Sequence, residues 1–258
     1  MAVATLIVSL LVSCASGSTS LSESPTESGV EVSGVVTTAI GDQFENLPSD
    51  VQSDLASRFA DAYGEDLDDL SEEEAHRQFA ADAARGLLRI DDGALIDHFL
   101  LVAAGLERVD VADCATYATN HWTSQTTQDE LAEMFDHLVA TFDHQEFQQW
   151  AEISMTAAEA ERAKDPEVRT LEDADRVSAG DALFALYTED EENLLAGVME
   201  DLDAVLEENP YAEPPSDEDT CSTILTSYAH AQEMDRDALA VIAFGAAMSD
   251  SPYDTGEE

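Results

Sequence analysis

The chain has 258 residues, of which 57 are Asp or Glu and 10 are Lys or Arg, for a formal net charge of -47. Hydrophobic residues make up 44% of it, which excludes disorder throughout, because disordered chains combine high charge with low hydrophobicity. No cluster of Lys and Arg is present to release counterions from a phosphate backbone, so nucleic acid is excluded as an expected partner, and anionic lipid headgroups would repel the folded part.

In chain order, the first feature is an apolar stretch from Ala2 to Val12, too short to span a bilayer as a helix and of the length of a signal-peptide core. It runs into Leu11-Val12-Ser13-Cys14. A branched apolar residue three positions before Cys and a small residue just before it resemble the lipobox of prokaryotic lipoproteins. That resemblance implies a lipid on Cys14, which would become the mature amino end. No Lys or Arg precedes the stretch, the first cation being Arg58; the basic region lies upstream of this reading frame, or the segment is another kind of signal or a buried helix. Residues 15–45 are expected to form a tether. Its first part, Ala15 to Gly29, is Ser/Thr-rich and has too little apolar surface to fold. Val30, Val32, Val35, Val36 and Ile40 give a brief β-like signal, but no second segment offers a pairing partner.

From residue 46 to residue 250 the apolar period is helical and helix-start signals recur, which predicts an all-α, multi-helix bundle in a single domain. Ser49 opens the first helix. Ser71 with Glu74, Thr127 with Glu130 and Thr188 with Glu191 have capping-box spacing, and Asp91 or Asp92 and Asp143 are further caps. Asp165-Pro166 reads as a cap followed by Pro in a first turn. Ala238 to Met248 carries no charge, which predicts a central helix. Residues 251–258 form an acidic tail.

The scarcity of lysine, Lys164 being the only one, together with the excess of Asp, resembles the proteins of halophilic archaea. The resemblance is one of habitat and names no characterised family. Its physical content is that at 1 M salt the Debye length falls to about 3 Å, so carboxylates that would repel one another in dilute buffer hardly interact. Hydrated salt cations are then the expected partners of the surface.

Cys114 and Cys221 are the remaining cysteines. Outside the reducing cytosol they make an even pair, and a disulfide between them would stabilise the fold by about 4–5 kcal/mol in the chain-entropy model; two buried free thiols are the alternative. The best polar constellation is Glu133, Asp136, His137, Asp143 and His144, in which Phe-Asp-His recurs at a spacing of seven. On one continuous helix both imidazoles would share a face, and with carboxylates such as Glu133 and Asp136 they could hold zinc or another divalent ion. The plainer reading turns both histidines to solvent and Phe135 and Phe142 to the core. No His-Glu-x-x-His, phosphate-binding Gly-rich loop or Gly-x-Ser-x-Gly motif occurs, and no cofactor is expected. The expectation is a cell-surface, lipid-anchored helical domain on the outer face of the membrane, acting as a non-catalytic binding or interaction module. The competing expectation is a secreted or surface helical enzyme that uses the His137/His144 region, with or without a metal.

Overall fold

A computed structural model of the protein describes residues 36, 40, 42–64, 71–123, 135–206 and 213–250. A 3-10 helix, Asp42–Asn46, precedes nine α-helices: α1 (Ser49–Tyr63), α2 (Glu72–Gly86), α3 (Asp92–Leu106), α4 (Val111–Thr123), α5 (His144–Ala163), α6 (Asp173–Phe184), α7 (Glu189–Leu206), α8 (Asp217–Gln232) and α9 (Arg236–Asp250). Residues 135–140 are also helical, and no strand occurs among the described residues. The protein is an all-α bundle.

Local chemistry sets the helix starts. Ser71 accepts from the Glu74 amide while the Glu74 carboxylate accepts from the Ser71 amide, a reciprocal cap that satisfies two otherwise orphaned donors. Asp143 and Glu146 make the same box at α5, and Asp91 caps α3 through the Gly93 and Ala94 amides. Thr188 and Glu191 exchange equivalent bonds at the start of α7. Thr127 and Glu130 lie outside the described residues. The turn expected after Asp165 does not form: 165–172 is non-helical and the Asp165-Pro166 peptide is cis. The chain has already left α5 there, through Lys164 at φ 53°, whose amide and that of Asp165 close onto the carbonyls of Glu161 and Ala160.

The helices fall into two groups that share α3. In the first, α5 packs against α1, α2 and α3; in the second, α8 and α9 pack against each other and against α3 and α4, with α6 outside α9 and α7 outside α8. The uncharged segment of α9 does take a central place, touching α2, α3, α4, α6 and α8, with Leu239, Ala243, Phe244 and Ala247 buried. The α2–α5 pair is the tightest. Ala75, Phe79, Ala83 and Gly86 form one stripe, and Phe147, Ala151, Ser154, Ala158 and Glu161 form the facing one, all buried. Phe59, Tyr63 and Phe79 add an aromatic trio on the α1 side, with ring centroids 4.6 to 6.3 Å apart.

The packed chain begins earlier than the expected boundary at residue 46. Val36, Ile40 and Phe44 are 0%, 1% and 1% exposed within the main core, Val36 and Ile40 in helical conformation. Gln43 also donates to the Val139 carbonyl at 2.9 Å. Val36 and Ile40, read as part of a tether, are therefore core residues, because their apolar side chains find cover against the bundle that a lone strand would lack. Residues 1–35 and 251–258, which include most of the proposed tether and the whole tail, lie outside the described residues.

Backbone contact between α2 and α5 depends on one residue without a side chain. A Cβ at Gly86 would lie 1.8 Å from the Ala157 carbonyl oxygen, whereas one at Gly180 in α6 would meet nothing within 4 Å. Gly86→Ala is expected to destabilise by about 2–3 kcal/mol, a fall in Tm of roughly 4–12 °C, because the two backbones must separate. Gly180→Ala, by removing helix-interior glycine entropy, is expected to raise stability by about 0.5–1 kcal/mol. Thermal melts of the two variants in concentrated salt check the opposite signs; equal effects would contradict the packing.

Candidate functional site

The clearest chemistry built from side chains on different helices is the pair Cys114 and Cys221. Cys114 lies in the second turn of α4 and Cys221 at the same depth in α8, and a disulfide joins them with the Cα atoms 5.3 Å apart. Helical spacing carries the contact onward: the Tyr117 and Tyr228 hydroxyls lie 2.6 Å apart in the core, and Tyr228 stacks on Phe99 of α3 at 4.3 Å. His98, Phe99, Tyr117 and Tyr228 border a void of about 10 Å³, room for no more than a single water. Among the described residues this region is a staple between α4 and α8. Cys14, the third cysteine, lies outside the described residues.

Among the described residues, the proposed metal ligands do not form a group that could hold a metal. The helical stretch 135–140 ends at Ala140 and Asp143 caps the start of α5, so the continuous helix that would align His137 with His144 is broken between them. His137 sits 2.8 Å from the Asp113 carboxylate on α4, Asp136 lies 3.9 Å from His76 on α2, and His144 is the exposed first residue of α5. Glu133 lies outside the described residues, and among those described no group of three or more His, Cys, Asp or Glu can hold a metal. Phe142 is buried and Phe135 packs on the core, as in the plainer reading.

A second constellation, missed in the sequence, is ionic. Asp82 on α2 and Glu161 on α5 are 4% and 2% exposed. Arg85 bridges them, Nη2 donating to Asp82 at 2.6 Å and Nε to Glu161 at 3.2 Å. Arg89 donates to Glu161 at 2.8 Å and to the Pro166 carbonyl at 2.8 Å, and Lys164 pairs with Glu161 as well. Arg162 reaches Asp82 at 3.6 Å, donates to the Ala62 carbonyl at 2.6 Å and lies 4.3 Å from the Tyr63 ring centroid. The Tyr63 hydroxyl and the Gln78 amide donate to Asp82 at 3.1 and 3.0 Å. Four of the ten Lys and Arg residues thus meet two interior carboxylates. The only sequence signal was their bunching: Arg85 and Arg89 stand one helical turn apart, and Arg162, Lys164 and Arg169 follow closely on one another, in a chain otherwise nearly free of cations.

Burial pushes the Glu161 carboxyl upward, but hydrogen bonds from Lys164 and Arg89 and their charges outweigh it, leaving its pKa below the ordinary value. Burial, then the charge and hydrogen bond of Asp82, push the Tyr63 phenol upward, so it remains a neutral donor. At the other end of α5, the Arg108 guanidinium holds Glu146 down to about 2, through two bonds of 2.6 and 2.7 Å that tie the end of α3 to the α5 cap.

Beside the ionic cluster an open groove of about 390 Å³ runs between α1 and α5, lined by Arg58, Asp61, Ala62, Glu159, Arg162 and Ala163. Arg58 grips Glu159 across it with bonds of 2.9 and 2.5 Å. Arg58 and Glu159 are thus matched within the groove, while Arg162 is engaged with Asp82 beside it. Comparison of the chain with protein-family models, with curated proteins and with solved structures finds no match. No described helix is long and apolar enough to cross a membrane.

Removing the Glu161 charge leaves Arg85, Arg89 and Lys164 facing a neutral group, a loss of about 3–5 kcal/mol by analogy with other broken buried pairs. Because the folded pKa of Glu161 is depressed, its stabilisation is complete above the unfolded value, about 4.3, and is lost as pH falls through the folded value. The stability difference between the wild-type protein and Glu161→Gln is therefore expected to be constant from pH 8 to about 5 and to shrink below that. Denaturant melts at fixed high salt across this range check it, and a difference that grows toward acid would contradict the assignment.

Proposed function

We propose that the protein is a lipid-anchored, extracytoplasmic helical module that works by binding in concentrated salt, with Cys14 as the attachment point. The observation that carries the reading is the division of the three cysteines. Cys114 and Cys221 are paired inside the bundle, and disulfides persist in oxidising compartments and are rare in a reducing cytosol. Cys14 is left over, at the end of an apolar run and in a lipobox-like setting.

Charge explains why a covalent anchor suits this body. With a net charge of -47, it has no basic patch to hold an anionic headgroup surface, so acyl chains must supply the attraction, at about 0.8 kcal/mol per buried methylene. Two chains give stable attachment where one is marginal. The Ser/Thr-rich residues 15–29 then supply the spacer between lipid and folded body. Binding is the favoured mode because the two buried carboxylates hold four cations and the Tyr117 and Tyr228 hydroxyls hold each other.

Expression of the full chain in a haloarchaeal host tests this. The wild-type protein is expected to enter the detergent phase on detergent partitioning and its mature amino end to be an acylated Cys14, whereas Cys14→Ser is expected in the aqueous phase with the same melting curve. A mature chain that keeps Met1, or an unmodified Cys14 thiol in the wild-type protein, would overturn the proposal.

A further inference from the structure

The negative charge is unevenly placed. Between Arg176 and Arg236 the sequence holds no Lys or Arg and sixteen Asp or Glu. This stretch contains α7, whose first turn alone carries Glu189, Asp190, Glu191 and Glu192. In packing, α7 has one principal neighbour, α8. Val198 and Leu202 are buried and Leu194, Leu195 and Met199 half-buried, while Val205 and Leu206 remain 40% and 36% exposed.

Two polar contacts fix how α7 lies. His230 near the end of α8 meets Glu191 at the start of α7 at 3.2 Å, and Tyr187 just before α7 meets Ser227 at 2.5 Å. These contacts place the start of α7 against the end of α8. The last turns of α7 carry Glu200, Asp201 and Asp203, and the first turn of α8 carries Asp217, Glu218 and Asp219. The two helices together hold ten Asp or Glu and no Lys or Arg, and His230, against Glu191, is the basic side chain of the pair. The disulfide fixes α8 to α4 independently of α7.

From this arrangement we propose that α7 is an electrolyte-gated flap: it docks on α8 in concentrated salt and detaches on dilution before the rest of the bundle unfolds, uncovering its apolar face and that of α8. The Debye length grows from about 3 Å at 1 M to about 10 Å at 0.1 M, so on dilution the carboxylates of this cation-free helix pair come to repel one another. Among the described residues, the main neighbour of α7 is α8. The α2–α5 pair, by contrast, has Arg85, Arg89 and Arg162 on its buried carboxylates.

Hydrogen–deuterium exchange of the full chain, stepped from about 3 M to about 0.1 M KCl, tests this. Amides of 189–206 are expected to lose protection at a KCl concentration at least about twofold higher than amides of 72–86 and 144–163. Loss of protection in all helices together, or in α7 last, would overturn the proposal. The triple change Glu200→Gln, Asp201→Asn, Asp203→Asn is expected to lower the α7 midpoint about twofold, while Asp50→Asn, Asp54→Asn, Asp61→Asn on α1 leaves it in place. An α7 midpoint unmoved by the first triple, or moved equally by both, would overturn the local origin. Sucrose at about 1 M in place of KCl is expected not to redock α7; redocking by sucrose would show that solvent exclusion, and not screening, holds it.

Discussion

Two carboxylates in the interior, Asp82 and Glu161, organise the first half of this protein. A buried carboxylate without partners costs several kcal/mol, and the chain meets that cost with Arg85, Arg89, Arg162 and Lys164. The arrangement forces geometry on its surroundings. Helices α2 and α5 must come close enough for Arg85 to reach both acids, which requires Gly86 against the Ala157 carbonyl. The chain must turn back after α5 so that Lys164 and the Pro166 carbonyl face Glu161 and Arg89, which the left-handed residue at 164 achieves.

The same arrangement has a consequence at the surface. Cations engaged with the two buried carboxylates are drawn from only ten Lys and Arg, set against 57 acidic residues in the chain. The two halves of the bundle answer this differently. The first is braced by interior ion pairs, by the Arg58–Glu159 contact and by the Arg108–Glu146 fork. The second has few cations and relies on the Cys114–Cys221 link, the Tyr117–Tyr228 contact and the apolar face of α9. Its outer helices, α6 and α7, also carry Val177, Phe184, Val205 and Leu206, four of the large hydrophobic side chains that face solvent.

How much of this could be read beforehand follows the range of each interaction. Ser71, Asp91, Asp143 and Thr188 cap helices where expected, because a cap joins residues three apart and needs nothing distant. The disulfide was legible only as a possibility, since the meeting of Cys114 and Cys221 depends on α4 packing on α8 across 107 residues. The ionic cluster was not legible as a site: Arg89 and Glu161 are 72 residues apart, and each alone reads as a surface charge. The His137/His144 spacing misled for a local reason, because the Asp143 cap that the sequence itself announced cuts the helix on which the alignment depended. Val36 and Ile40 misled in the opposite direction, since weak strand-like residues beside a Ser/Thr-rich stretch gave no sign of the apolar bundle that covers them.

The central claim is that this fold gives four of its ten cations to two buried carboxylates and leaves most of its surface charge to be neutralised by dissolved salt. The most direct test is the melting temperature of the intact, disulfide-bonded chain, followed by circular dichroism at 222 nm at pH 7 as KCl is raised from about 0.01 M, where the Debye length is about 30 Å, to about 3 M. The account predicts little cooperative structure at the lowest concentration, a steep rise in Tm up to about 1 M and a shallower slope beyond it. A Tm that is high in near ion-free buffer and unchanged by KCl would contradict it.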